Sequence, residues 1–193
     1  DTTLYDVLPR HRSIRAVFDY SWRLLPPTQQ EGLARLSLFR QPFTFEAAQQ
    51  VADVSRTALL ALIRASWLKL NEQAYYRFHP LLREFGQEQL AANKAWHDAT
   101  TNRYTDYHLH LLHDMAPDLD RDLTGNTLAR FYLSRADFVA AWRMGLSANA
   151  FAMLHDSADA LCDFYFHNAL LLEGSSLFNE TYEYLVQLND DYN

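Results

Sequence analysis

The sequence predicts a mainly α-helical fold with one small β-hairpin, and three observations predict it. Apolar residues recur three and four positions apart through most of the chain. Five Gly and six Pro among 193 residues leave little of the punctuation that a many-stranded sandwich needs. The helical period gives way convincingly at one place, between Trp67 and Phe78. With 49% hydrophobic and 14% aromatic residues, the chain has ample material for a buried core, so a folded protein is expected.

Taken in order, the chain opens with an extended leader ending at Pro9, followed by the basic cluster Arg10, His11 and Arg12. Ser13 suits the cap of a first helix carrying Ile14, Val17, Phe18, Trp22 and Leu25, which stops before Pro26 and Pro27. Thr28, with Glu31 three residues later, has the form of a capping box for a second helix with Leu33, Leu36 and Phe39 on its buried face. Thr44 with Glu46 starts a third helix, and Ser55 a fourth that carries Leu59, Leu60 and Ile63. Trp67 to Leu70 and Tyr75 to Phe78, separated by Asn71-Glu72-Gln73-Ala74, have the layout of a hairpin. Pro80 suits the first turn of a closing helix, because the amide it lacks has no partner there. Three short helices, a hairpin and a closing helix, preceded by one more helix, make a winged helix-turn-helix domain over residues 1–92.

From residue 93 to 193 the pattern is helical throughout. Ala95, Trp96, Tyr104, Tyr107, Leu111 and Met115 predict one long helix, or two end to end, stopped at Pro117. Phe131, Phe138, Trp142 and Leu146 line another, and Phe151 to Leu172 a third. Phe178 to Leu188 reads as its antiparallel partner after a turn at Gly174. Stacked helical hairpins of this kind depend on their neighbours to bury their apolar faces.

Charge divides the chain. Residues 1–92 carry 11 Lys+Arg against 9 Asp+Glu, and residues 93–193 carry 6 against 15, within a formal net charge of −7. A dedicated nucleic-acid binder concentrates basic residues on one face, and neither half is expected to have one. The single Cys162 excludes an intramolecular disulfide and a cysteine-rich zinc site, which points to the cytoplasm. No apolar run approaches the roughly 18 residues of a membrane span, so no membrane role is expected. The chain does not begin with Met and is expected to be a section of something longer.

Motifs for catalysis are sparse. There is no phosphate loop of the G-x-x-x-x-G-K-[ST] type, no G-x-G-x-x-G and no G-x-S-x-G, so this chain is not expected to be an enzyme by itself. His110 shares a helix face with His113 and Asp114, which permits a two-ligand clip, but a zinc site needs a third ligand and no metal is expected. The fourth helix offers Arg56 and Arg64 as candidate DNA contacts. Its apolar middle and Glu72 in the wing argue for packing instead, so DNA binding is not the expectation here. Asp114, Asp118, Asp120 and Asp122 lack the Gly and closing Glu of a calcium loop and read as a solvated connection.

With its elements placed, the first half resembles a known family. Pro9 to Val17, Asp19 to Leu25, Leu36 to Phe39, Phe43 to Ala48 and Tyr76 to Phe85 resemble, in that order, the winged-helix portion of the signal-transducing STAND ATPases. The similarity is closest to bacterial transcriptional regulators of the MalT-like and SARP-associated kind, in which this portion follows an NB-ARC-type nucleotide-binding core. The resemblance implies a role for His79. In that family a histidine just after the wing strand, in a motif of the Met-His-Asp type, reaches the β-phosphate of bound ADP and holds the inactive state. Phe78 stands in the Met place, and Pro80 replaces the usual acidic residue.

The second half more weakly resembles the tetratricopeptide-like repeats that follow. Asp137 to Trp142 matches a first repeat's opening, and Ala160-Leu161, Phe164 to Phe166, Leu172 to Gly174 and Glu180 to Leu185 a helix, turn and helix. The expectation is thus a non-catalytic regulatory section of a cytoplasmic STAND-type switch. Its partners would be the upstream nucleotide-binding core of the same chain and an inducer or protein bound to the repeats. ADP or ATP with Mg would be held by the parent protein rather than by this section. A winged-helix DNA-binding module and a protein-interaction scaffold with no nucleotide role stand as alternatives.

Overall fold

Local capping explains where the first elements begin. A computed structural model of the chain describes residues 7–119 and 125–191. Among these, nine helices accompany one two-stranded antiparallel sheet, and the chain packs as two compact units. The first unit holds residues up to Leu38 and Thr44–Thr100; the second holds Phe39–Phe43 and the chain from Thr101 onward.

In the first unit, α1 (Val7–Arg23) starts before Pro9, so the described part of the expected leader is helical. A proline in the first turn removes an amide that has no intrahelical partner. Asp1–Asp6 lie outside the described residues. The expected capping box at Thr28 and Glu31 does not form either. Pro27 takes the first position of α2 (Pro27–Leu36), which starts the helix two residues earlier than a Thr28 cap would, and Glu31 pairs with Arg35 instead. The other caps follow the sequence. Thr44 Oγ1 accepts from the Ala47 amide at 3.1 Å to open α3 (Phe45–Ala52), and Ser55 Oγ accepts from Ala58 at 3.2 Å to open α4 (Arg56–Arg64).

After α4 the chain turns sharply through Ser66, at φ 62°, into β1 (Leu68–Leu70), which pairs with β2 (Tyr76–Phe78). The register sets Leu68 against Phe78, Lys69 against Arg77 and Leu70 against Tyr76. Alternation along a strand therefore puts the apolar pairs on one face and the two cations on the other. Asn71 closes the turn, its side chain accepting from the Tyr75 amide at 2.8 Å. Pro80 is the first residue of α5 (Pro80–Ala92).

An aromatic cluster organises this unit. Phe18 and Trp22 of α1 meet Trp67 and Phe85, with ring centroids 5.7 to 6.4 Å apart. Phe85 is 2% exposed, and Arg15 lies over its ring at 5.1 Å while pairing with Glu88. α1 is apolar on two sides, however. Ile14 and Val17, expected in the core, are exposed together with Tyr20 and Leu24.

α6 (Lys94–Leu119), which belongs to the second unit from Thr101 onward, is a single helix that runs past Pro117, with Asn93 capping its start by accepting from Trp96 at 3.1 Å. α7 (Asn126–Ser147), α8 (Phe151–His167) and α9 (Leu171–Asp191) follow. Arg135 meets Glu173 and Arg143 meets Glu180, so α7 and α9 run in the same direction with α8 antiparallel to both. The turn between α8 and α9 is not at Gly174. The chain reverses at Asn168–Leu170 through Ala169, at φ 54°, and Gly174 sits inside α9. A Cβ there would come within 2.9 Å of the Tyr165 ring, so this glycine serves close packing between helices.

Gly86 plays the same part in the first unit, where a Cβ would approach Ser37 Cβ to 2.8 Å where α5 packs on α2. Gly86→Ala is expected to destabilise the unit by about 1–3 kcal/mol through overpacking, despite alanine's better helix propensity. Urea unfolding of the variant against the parent chain measures it.

Candidate functional site

The sequence singled out His79, and its position follows from the ribbon and helix on either side. β2 delivers the chain in extended conformation to His79, at φ −73° and ψ 139°, which is the cap position of α5. The His79 carbonyl accepts from the amides of Leu82 and Arg83, both at 3.0 Å. Its side chain makes no capping bond and is exposed, and α5 has no acidic residue in its first turn. The imidazole therefore stands at the positive end of a 13-residue helix, uncommitted to the backbone around it. An N–H donor in that place suits an anionic oxygen.

Other candidates are dispersed. Arg56 and Arg64 are exposed on α4, with Arg56 stacked over Phe45 at 4.4 Å. The histidines of α6 are occupied individually: His110 Nδ1 lies 2.7 Å from the Asp106 carbonyl and His113 Nδ1 2.7 Å from the Asp156 carbonyl. Among the described residues no three His, Cys, Asp or Glu side chains converge on a metal position. Asp120 and Asp122 lie outside the described residues. Cys162 is exposed, and partial burial with Asp159 and Asp163 nearby pushes its thiol above the usual range, the opposite of an activated nucleophile.

The second unit holds a buried polar cluster that sequence reading missed. Asp137, on α7 and 2% exposed, accepts from the amides of Arg40 at 2.7 Å and Gln41 at 3.2 Å. The Tyr104 hydroxyl donates to the same carboxylate at 2.6 Å. One carboxylate thus holds the Phe39–Phe43 segment by its backbone. Phe39 stacks on Phe43 at 4.4 Å and meets the edges of Tyr104 and His108 at 5.8 Å. His108 is 3% exposed, and its Nδ1–H donates to the Tyr104 carbonyl at 2.8 Å. The available signal was Asp137 next to Phe138 in an otherwise apolar stripe, where an unpartnered acid would be costly.

Burial moves these two groups in opposite directions. It pushes the Asp137 carboxyl up to about 6, against the opposing pull of the Tyr104 hydroxyl and the Arg40 and Gln41 amides. It pushes His108 down to about 4, slightly countered by the Tyr104 carbonyl.

No protein-family model, curated protein or solved structure matches the chain.

The paired shifts make a pH prediction. Stability from Asp137 is present below its ordinary value of 3.8 and lost as pH rises through about 6. Stability from His108 is present above 6.5 and lost as pH falls through about 4. Between pH 4 and 6 the two slopes oppose each other, and each group's contribution over its full shift is on the order of 3 kcal/mol. Relative to the parent chain, Asp137→Asn is expected to make stability rise with pH across this window, and His108→Gln to make it fall. Denaturant unfolding at a series of pH values reads both slopes.

Proposed function

We propose that this chain is a non-catalytic regulatory section of a STAND-type signalling ATPase. The first unit acts as a winged helix that gates the nucleotide-bound state, and the helices of the second as a tetratricopeptide-like sensor of a ligand or protein partner. The observation that carries the reading is His79: exposed, free of any capping role, and set at the positive end of α5 directly after the ribbon. That is where the family resemblance requires a donor to the β-phosphate of ADP.

Two further observations support it. The outward stripe of Ile14, Val17 and Tyr20 on α1, with Leu24 just after it, gives the first unit an apolar face of the kind a neighbouring core would cover. Tyr182, Leu185 and Val186 on α9 do the same for a partner of the helical region. In the gating cycle, ADP bound by the core and by His79 favours the closed state. Occupancy of the sensor favours release, exchange for ATP with Mg, and assembly. Such coupling requires each ligand to bind one state better than the other, and it is reciprocal.

In the intact protein, His79→Ala is expected to weaken ADP retention about tenfold or more, the worth of one hydrogen bond to a charged oxygen. Because the side chain is exposed, the same substitution changes the stability of this chain by no more than about 0.5 kcal/mol. Off-rates of a fluorescent ADP analogue test the latch, and an unchanged off-rate refutes it.

A further inference from the structure

The buried cluster of the second unit touches no candidate ligand site, yet the segment it grips continues directly into the helices that position His79. Asp137 is on α7 and Tyr104 on α6, and the Tyr104 hydroxyl donates to the carboxylate at 2.6 Å, so the two helices meet at one group. That carboxylate also accepts from the Arg40 amide at 2.7 Å and the Gln41 amide at 3.2 Å. Phe39 and Phe43, on either side of these amides, are buried and stack on each other at 4.4 Å. A loop closed by its own rings and held at its middle by two amides moves as one body. Phe39–Phe43 packs with the second unit, whereas Leu38 and Thr44, which flank it, pack with the first.

From Phe39 the route to His79 is short and closely packed. Leu36, Ser37, Leu38 and Phe39 form an unbroken buried run at the end of α2. Ser37 is pinned there, its Oγ donating to the Ala34 carbonyl at 2.6 Å and its amide to the Leu33 carbonyl at 3.2 Å. α5 packs on α2 at this residue, since a Cβ on Gly86 would come within 2.8 Å of Ser37 Cβ, and little slack separates the two chains. One turn before Gly86, the Leu82 and Arg83 amides donate to the His79 carbonyl, both at 3.0 Å. Close-packed interiors compress little and pass strain on. A shift of Phe39 therefore reaches the start of α5 through Ser37 and Gly86.

We infer that Asp137 is a positioning residue for His79: by fixing the Arg40 and Gln41 amides to α6 and α7, it sets the place of Ser37, of α5 and of the imidazole at the start of α5. The carboxylate makes the connection either engaged or released, because a buried acid that loses its donors must regain water. Movement of α7 against α6 alters the Tyr104 contact and biases that choice. In the gating cycle, this is the step by which occupancy of the helical region loosens ADP. The effect on ADP rests on the nucleotide reading of His79; the displacement of α5 does not.

Amide exchange followed by NMR on the 193-residue chain tests the connection. Asp137→Asn is expected to speed exchange about tenfold or more at Arg40 and Gln41, and about threefold or more at Leu82 and Arg83. Tyr104→Phe keeps the ring and the carboxylate, is expected to act in the same direction more weakly, and carries the test if Asp137→Asn fails to fold. Leu177→Ala, a buried truncation on α9, should leave Leu82 and Arg83 unmoved. Unchanged exchange at Leu82 and Arg83 overturns the inference, and so does an equal acceleration by Leu177→Ala, which marks general loosening. In the intact protein, Asp137→Asn is expected to raise the off-rate of a fluorescent ADP analogue about threefold or more, and to add nothing on top of His79→Ala. Additive effects of the two substitutions overturn the inference, as does an effect of His79→Ala with none from Asp137→Asn. An off-rate indifferent to His79→Ala refutes the nucleotide reading instead, and exchange at Leu82 and Arg83 still decides whether Asp137 positions α5.

Discussion

Everything the first unit offers to a ligand depends on four aromatic rings. Trp67 lies immediately before β1 and Phe85 lies in α5, on either side of the ribbon, and both rings pack on Phe18 and Trp22 of α1. A two-stranded ribbon of three residues per strand is marginal by itself. Anchoring both of its flanks in one cluster removes most of the freedom of the segment between them. His79, Lys69 and Arg77 are therefore held by packing, not by hydrogen bonds of their own. Edge-to-face and tilted ring pairs add about 0.5–1.5 kcal/mol each beyond the area they bury. The cluster thus supplies both the position and much of the stability.

The second unit solves a different problem, that of burying polar groups. Asp137 is the costly element, since a carboxylate away from water needs every partner it can obtain. It has three donors, two of them backbone amides that would otherwise be unpaired under Phe39 and Phe43. His108, one helical turn beyond Tyr104, stays neutral under the same cover. The groups are connected through Tyr104, whose hydroxyl serves Asp137 and whose carbonyl serves His108. A network so satisfied specifies one arrangement of the loop, because losing any member strands another.

Periodicity made the mainly helical fold and the hairpin legible, and local capping chemistry located the starts of α3 and α4 to the residue. Failures came where a second rule outweighed the first. Pro27 displaced the Thr28 capping box because a proline at the first helical position is already preorganised. Gly174 read as a turn, yet its lack of a side chain serves close packing on Tyr165, and Ala169 makes the turn instead. Of the candidate site residues, His79 was singled out by the family resemblance, and its place between β2 and α5 follows from the strand and Pro80 on either side. The opposition of Lys69 and Arg77 was not legible, because it exists only once the register is known. Asp137 was hidden for the same reason, since its partners Arg40 and Gln41 are nearly a hundred residues away in sequence.

His79 and the cationic ribbon face differ in physical kind. An imidazole at a helix start is a single directional donor, suited to discriminating one phosphate oxygen in a closed site. Two flexible cations with no ion-pair partner among the described residues form a diffuse positive field, sensitive to salt. A ligand that engaged only the imidazole would leave the repulsion between Lys69 and Arg77 in place. One that engaged only the ribbon would leave the end of α5 unfilled. Neither feature is required by the packing of the unit, since all three side chains are exposed and the aromatic cluster holds the backbone without them.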